Sequence, residues 1–168
     1  MKKVFLALAL CLSLATSSAS VAISPTSSKA TGTGSKGQKL TVSQTKGLGN
    51  GVTVKVTGSN YDMKLGIYVT FCVMPKKGKK PELCGAYNML GGSTQVFWIS
   101  SNPPLYAATL VTPFSKGGKF SVDLLLTKTT AYKGADCTKV KCAVLTRADH
   151  TNGSNRTADV FVPISFTK

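Results

Sequence analysis

Three ionisable residues fall close together at the end of one predicted strand. They are Arg147, Asp149 and His150, and His150 is the only histidine in the chain. A histidine beside a carboxylate and a guanidinium can serve acid–base chemistry or bind an anion. The same residues also suit an exposed turn in which Asp149 caps local backbone and Arg147 is paired. Because no set of side chains with complementary catalytic roles can be named, the sequence favours a protein that is not an enzyme.

A dense cationic cluster follows the strand predicted at residues 67–74. It consists of four lysines: Lys76, Lys77, Lys79 and Lys80. The formal net charge of the chain is +15, which favours anionic partners such as nucleic acid, envelope polymers or acidic lipid, although scattered lysines often serve only solubility. No aromatic residue is interleaved with the cluster, as a base-stacking surface would require. We predict that these lysines contact anions.

The cysteines indicate disulfides rather than a metal site. Cys11 lies in an N-terminal apolar run, which leaves an even number, Cys72, Cys84, Cys137 and Cys142, in the part that would be exported. An even number in an exported chain favours two disulfides. Their spacing is not that of paired Cys-x-x-Cys zinc ligands, so we expect no metal. Three pairings are open, and the local one, Cys72–Cys84 with Cys137–Cys142, is the simplest.

The N-terminal part of the sequence indicates export. Lys2 and Lys3 precede an apolar run at residues 4–14 and a small-residue stretch at 17–22, so residues 1–22 are predicted as a secretory signal peptide. The apolar run is too short to span a bilayer as a helix. Residues 23–38 are mostly Ser, Thr, Gly and Lys, which predicts a flexible leader. One domain is then expected over residues 39–168, secreted or extracellular and in one alternative associated with the cell wall.

Short apolar segments separated by turns are typical of an all-β domain. The clearest alternate apolar and polar residues, whereas residues 67–74 are almost wholly apolar and predict a central strand covered on both faces. Strands are predicted at residues 40–43, 52–56, 67–74, 94–100, 120–126, 141–147 and 160–166, with residues 106–112 as an additional candidate. About seven strands at this spacing predict an immunoglobulin-like antiparallel β-sandwich.

Several segments together resemble the neocarzinostatin family, the apoproteins of enediyne antibiotics. They include LTVSQTKGLGNGVTVKVTG at residues 40–58, the strand leading to Cys72, the motif DCTKVKCAV at residues 136–144, and the closing strand at 160–166. The resemblance implies a seven-stranded sandwich with two local disulfides, secreted by a bacterium. It also implies a hydrophobic cleft that in the family holds a chromophore. Met74 stands where the family has an aromatic cleft residue.

An aromatic-rich stretch between Cys84 and residue 112 supplies the candidate ligand-binding residues. Phe97 and Trp98 are neighbours on a predicted strand and must point to opposite faces, and we predict that Trp98 faces the cleft. Large aromatic and flexible apolar side chains commonly line ligand pockets. The predicted ligand-binding residues are Met74, Tyr87, Met89, Trp98 and Tyr106.

The sequence is therefore compatible with two classes of function. In the first, the domain is a secreted binding module that holds an apolar or aromatic ligand and needs no cofactor. In the second, the sandwich is a stable spacer of the cell envelope, attached by its lysines to anionic polymers or extracellular DNA. The resemblance adds a third, a DNA-binding antibiotic apoprotein. Charge and the leader favour the second, whereas the aromatic stretch and the resemblance favour the first.

Overall fold

Eight β-strands form the fold in a computed structural model that describes residues 28–87, 94–131 and 134–168. Two short 3₁₀ helices, Leu105–Ala107 and His150–Asn152, lie in the connections. The strands are β1 Ala30–Thr33, β2 Lys39–Val42, β3 Val52–Ser59, β4 Ile67–Val73, β5 Val96–Ile99, β6 Phe120–Leu126, β7 Cys142–Ala148 and β8 Val160–Ile164. The all-β prediction is confirmed.

The strands build two antiparallel sheets of four strands each, in the orders β1-β2-β3-β6 and β5-β4-β7-β8. Strand β4 is central in the second sheet and pairs with β5 on one side and β7 on the other. Because successive residues of a strand point to opposite faces, one face of each sheet supplies the core. The sandwich core contains Leu40, Val54, Val56, Ile67, Val69, Phe71, Leu124, Leu126, Val144 and Val162 among other buried side chains.

The strand count differs from the prediction because β1 lies inside the segment predicted as a flexible leader. Its sequence, ATGT, is only half-buried, and it pairs with β2 over the register from Ala30↔Val42 to Thr33↔Lys39. Ser28 is also tied to Thr45 by a hydrogen bond from Thr45 Oγ1 to the Ser28 carbonyl oxygen of 2.5 Å. Residues 30–33 of the predicted leader thus form a strand that is held mainly by backbone pairing with β2.

The prediction of a strand at residues 106–112 is wrong. The chain there enters the 3₁₀ helix Leu105–Ala107 directly after Pro103 and Pro104, and only Thr112 pairs, in an isolated bridge with Ile99. Proline lacks the N–H that a ladder needs and fixes φ near the helical value. Leu105 is 98% exposed, so the apolar residues of this stretch do not mark a buried face.

Tyr61 carries a buried polar link between the two sheets. Its hydroxyl lies 3.0 Å from Thr146 Oγ1, which in turn donates to the Ala158 carbonyl oxygen at 2.7 Å. Tyr61 is 5% exposed. Burial raises the pKa of its phenol above the ordinary 10.0, and the hydrogen bond to Thr146 offsets only part of that rise.

The raised pKa of Tyr61 predicts a loss of stability at alkaline pH. Above pH 10.0 the unfolded chain releases this proton while the folded chain retains it, so the free energy of unfolding falls as pH rises. One such group contributes a slope of at most about 1.4 kcal/mol per pH unit. Urea unfolding between pH 8 and 11 should show a shallower decline for Tyr61→Phe than for the wild type. The exposed control Tyr106→Phe should keep the wild-type slope, and equal slopes for all three proteins would contradict the prediction.

Candidate functional site

The candidate site begins with a row of three side chains across the second sheet. Tyr68 of β4 pairs with Trp98 of β5 on one side and with Arg147 of β7 on the other. Ile67 and Val69, the neighbours of Tyr68, belong to the core. Tyr68 and its two partners therefore project from the opposite, outer face of the sheet.

The disulfide Cys72–Cys84 holds a further segment alongside β4, where the two cysteines form an isolated antiparallel bridge. Beyond it, the Gly85 N–H donates to the Phe71 carbonyl oxygen at 2.9 Å, so the following residues run against β4. A Cβ at Gly85 would lie 2.9 Å from the Phe71 ring, which explains why glycine is needed at this approach. The second disulfide, Cys137–Cys142, closes the turn before β7. Both predicted local pairings are confirmed.

A cleft of about 260 Å³ opens on the outer face of the sheet beside this segment. Its lining combines aromatic rings, small groups and one guanidinium. The lining residues are Tyr68, Thr70, Cys84, Gly85, Tyr87, Val96, Arg147 and His150. Tyr68 is at the centre of the ring contacts, with centroid distances of 5.9 Å to Tyr87 and 6.1 Å to His150. Such a lining suits the faces and edges of a flat aromatic ligand.

His150 links two tyrosines at one side of the cleft. Its Nδ1 lies 2.5 Å from the Tyr68 hydroxyl and its Nε2 lies 2.8 Å from the Tyr106 hydroxyl. A neutral imidazole has one donor and one acceptor nitrogen, so one hydroxyl donates to the ring and the other accepts. The exposed 3₁₀ helix that carries Tyr106 is thereby connected to the aromatic lining.

Asp149 accepts buried hydrogen bonds next to the cleft. Its Oδ2 accepts from Trp98 Nε1 at 2.8 Å, and its Oδ1 accepts from the backbone N–H and hydroxyl of Thr151 at 2.9 and 2.6 Å. Asp149 is 2% exposed. The capping role considered for this aspartate is therefore present, but the turn is buried at Asp149 rather than exposed. These bonds fix both the indole and the start of the helix that carries His150.

Burial also shifts the pKa values of two side chains that line the cleft, Tyr68 and Arg147. It raises the pKa of Tyr68 to about 12, with further increases from Tyr87 and Asp149, while Arg147 acts in the opposite direction. Burial lowers the pKa of the Arg147 guanidinium from its ordinary value. An arginine nevertheless keeps its proton near neutral pH. At neutral pH the cleft thus presents a neutral phenol and a guanidinium cation.

The predicted ligand-binding residues fall into three positions. Tyr87 lines the cleft. Trp98 lies on the same outer face but is only 3% exposed, so it supports Tyr68 and His150, with ring centroids 5.9 and 4.9 Å away. Tyr106 contacts His150 from the outside. Their ligand-binding role stays a prediction.

Met74 does not join this group in the structure. Met74 follows the end of β4 and lines a separate cavity of about 430 Å³ together with Lys76, Lys79 and Lys80. Its backbone N–H donates to the Lys141 carbonyl oxygen at 2.8 Å, which continues the pairing of β4 with β7 by one residue. Met89 lies outside the described residues.

The four lysines of the cluster are all exposed. The turn that carries them is closed by a bond from the Lys79 N–H to the Lys76 carbonyl oxygen of 3.0 Å, with Gly78 at φ 74°. Within residues 28–87, 94–131 and 134–168, none of them forms an ion pair. Contact of these lysines with an anion stays a prediction.

Sequence reasoning missed Tyr68, Thr70 and Arg147 as cleft residues. The signal was present, because Cys72 must face outward to reach Cys84, and residues two and four positions earlier on the same strand share its face. Another cavity, of about 390 Å³, lies beside Tyr61 and is lined mainly by polar residues such as Gln38, Asn60 and Asp62. The aromatic lining makes the smaller cleft the better ligand site.

The fold and the site together define a class: an antiparallel β-sandwich with two local disulfides and an aromatic-lined cleft on one outer face. The sequence profile of the neocarzinostatin family matches residues 40–166, and the chain belongs to this family.

Among solved structures, macromomycin is similar at a TM-score of 0.53 and 18% sequence identity, over 77% of this chain and 99% of that chain. At this identity the likeness shows the fold alone. A search of curated proteins found no significant match. Across the described residues, no helix is both long and apolar enough to cross a membrane.

Proposed function

We propose that the protein is a secreted, non-enzymatic binding module that holds a small apolar or aromatic ligand in the cleft beside the Cys72–Cys84 disulfide. The observation that carries the proposal is the lining of the cavity of about 260 Å³, where Tyr68, Tyr87 and His150 present rings to one space. Membership of the neocarzinostatin family supports a carrier role rather than an enzymatic one.

The chemistry of the cleft agrees with binding rather than turnover. The buried carboxylate of Asp149 is engaged by Trp98 and Thr151, and both ring nitrogens of His150 are occupied by tyrosine hydroxyls. These groups hold the walls of the cleft in place. A rigid, preformed aromatic cavity loses little conformational entropy when a flat ligand enters. The alternative, attachment to anionic envelope polymers or DNA, rests on the exposed lysines and the net charge.

A substitution that fills the cavity tests the proposal while leaving the aromatic residues of its lining in place. Val96 lines the cleft from β5, and Val96→Phe should place a ring in the ligand space. With the neutral fused-ring probe N-phenyl-1-naphthylamine, we expect saturable quenching of Trp98, the only tryptophan of the chain, in the wild type. Because the added ring takes the space of the probe, the probe loses its contacts with Tyr68, Tyr87 and His150. Binding should therefore be weaker in Val96→Phe by about tenfold or more.

The matched control is Val140→Phe, the same substitution at an exposed valine that does not line the cleft. This variant should bind the probe like the wild type. Circular dichroism and thermal unfolding show whether both variants remain folded. A wild type without saturable binding, or equal affinities for folded Val96→Phe and Val140→Phe, would overturn the proposed function.

A further inference from the structure

The lining of the cleft contains one guanidinium, that of Arg147. Its guanidinium carbon lies 5.2 Å from the centroid of the Tyr68 ring, so the cation is stacked beside the aromatic floor. The side chain is half-buried within a strand whose other residues are all buried. The backbone register of β4 and β7 therefore fixes the guanidinium at one end of the ring cluster.

This guanidinium has no hydrogen-bond acceptor and no ion pair among the described residues. Its Nε–H is buried and donates to no acceptor, and Arg147 is absent from the ion pairs. The carboxylates of Asp159 and Asp149 attract it without direct contact. The other arginine of the chain is different: Arg156 pairs with Asp159 at 3.2 Å and donates to the Gly153 carbonyl oxygen at 2.6 Å. Asp149, the nearest buried carboxylate along the chain, is engaged by Trp98 and Thr151. A buried N–H donor without an acceptor is costly to the protein alone.

The surroundings of Arg147 leave room for an anionic group. Arg147 lines both the aromatic cleft and an adjoining cavity of about 460 Å³, and the two cavities share Cys84 and Gly85. Lys80 and Glu82 line the second cavity. A ligand ring stacked in the cleft can therefore place a substituent against the guanidinium at the boundary between the two spaces. The planar fork of arginine donors matches carboxylate, sulfonate and phosphate oxygens.

We propose that the ligand of the cleft is an aromatic anion: a flat ring system held by Tyr68, Tyr87 and His150, with a carboxylate-like or sulfonate-like group bound by Arg147. This inference rests on the proposed function and adds the charge of the ligand to it. The anion accepts hydrogen bonds from the Arg147 guanidinium, while Tyr68, Tyr87 and His150 supply the apolar contact. The cleft accordingly selects against neutral and cationic ligands of the same shape.

A matched pair of probes separates ring contact from charge. N-phenyl-1-naphthylamine and 8-anilinonaphthalene-1-sulfonate share their ring system, and only the second carries a sulfonate. Titrations of the whole secreted protein at an ionic strength of about 0.15 M limit the attraction of distant lysines. We expect the sulfonate to bind about tenfold to a hundredfold more tightly than the neutral probe, the gain of a charge-assisted hydrogen bond. The cationic N-(1-naphthyl)ethylenediamine should bind more weakly than either.

Arg147→Gln should abolish the preference for the sulfonate, measured as the ratio of the affinities for the two probes in the same variant. Lys116→Gln removes one positive charge at an exposed position before β6 of the other sheet and should keep the full preference.

Equal binding of both probes to the wild type, or equal loss of sulfonate affinity in the two variants, would overturn the inference. Retained binding of the neutral probe, blocked by Val96→Phe, would then leave the proposed function standing. If neither probe binds in the cleft, both proposals fail.

Discussion

Replacing Asp149 with alanine is expected to lower the free energy of unfolding by about 3 kcal/mol, one of the two largest effects we predict. The carboxylate is 2% exposed and accepts three hydrogen bonds, from Trp98 Nε1 and from the N–H and hydroxyl of Thr151. Alanine leaves the indole N–H buried without an acceptor. Buried donors that lose their partner cost more than the bond itself contributed, because they can no longer reach water.

Two further variants distinguish this effect from a general loss of charge. Asp149→Asn keeps the shape and one acceptor oxygen, so its loss should be smaller than that of Asp149→Ala. Asp123→Ala removes an exposed carboxylate that lies 3.6 Å from Lys55 Nζ, and surface pairs of this kind contribute at most about 1 kcal/mol. Urea unfolding followed by circular dichroism measures all three. Similar losses for Asp149→Ala and Asp123→Ala would show that the buried network does not stabilise the fold.

Removing the Cys72–Cys84 disulfide is the second change with a large expected effect. The double variant Cys72→Ala with Cys84→Ala should lose about 3 kcal/mol, because the bond closes a loop of moderate length in the unfolded chain. It should also weaken binding of N-phenyl-1-naphthylamine, since Cys84, Gly85 and Tyr87 form one wall of the cleft. The bond from the Gly85 N–H to the Phe71 carbonyl oxygen remains, so some of the wall persists.

The other disulfide provides the matched control. Replacing both Cys137 and Cys142 with alanine opens a shorter loop and should cost about 2 kcal/mol. Neither cysteine lines the cleft, so probe affinity should be unchanged in this variant. Binding that weakens equally in the two double variants would mean that the affinity follows overall stability rather than the local position of the wall.

Much of the fold could be predicted from sequence because most strands depend on apolar burial. Val54 and Val56 alternate with polar residues on β3, and Phe120, Val122 and Leu124 alternate with Ser and Asp on β6, so the buried face is visible in the pattern. Strand β1 could not be found in this way. Its four residues are ordered by pairing with β2, and backbone pairing leaves no apolar signature.

The candidate site was predictable in part only. Tyr87, which lines the cleft, was named because it belongs to an aromatic-rich stretch, whereas Tyr68 was concealed by an almost continuously apolar strand. Arg147 was considered beside Asp149 and His150 along the chain, yet its structural neighbour is Tyr68, which lies opposite it in the sheet. Cross-strand register depends on the whole fold, so local sequence could not show this contact.

The first strand also bears on how the edges of the two sheets meet. Strand β1 forms the edge of its sheet, and a Cβ at its Gly32 would lie 2.4 Å from the Phe161 carbonyl oxygen of β8, the edge of the other sheet. The two edges therefore close against each other on this side of the sandwich. Exposed strand edges recruit other chains into intermolecular sheets. The short, mostly polar strand β1 therefore covers an edge of the sandwich where it meets β8.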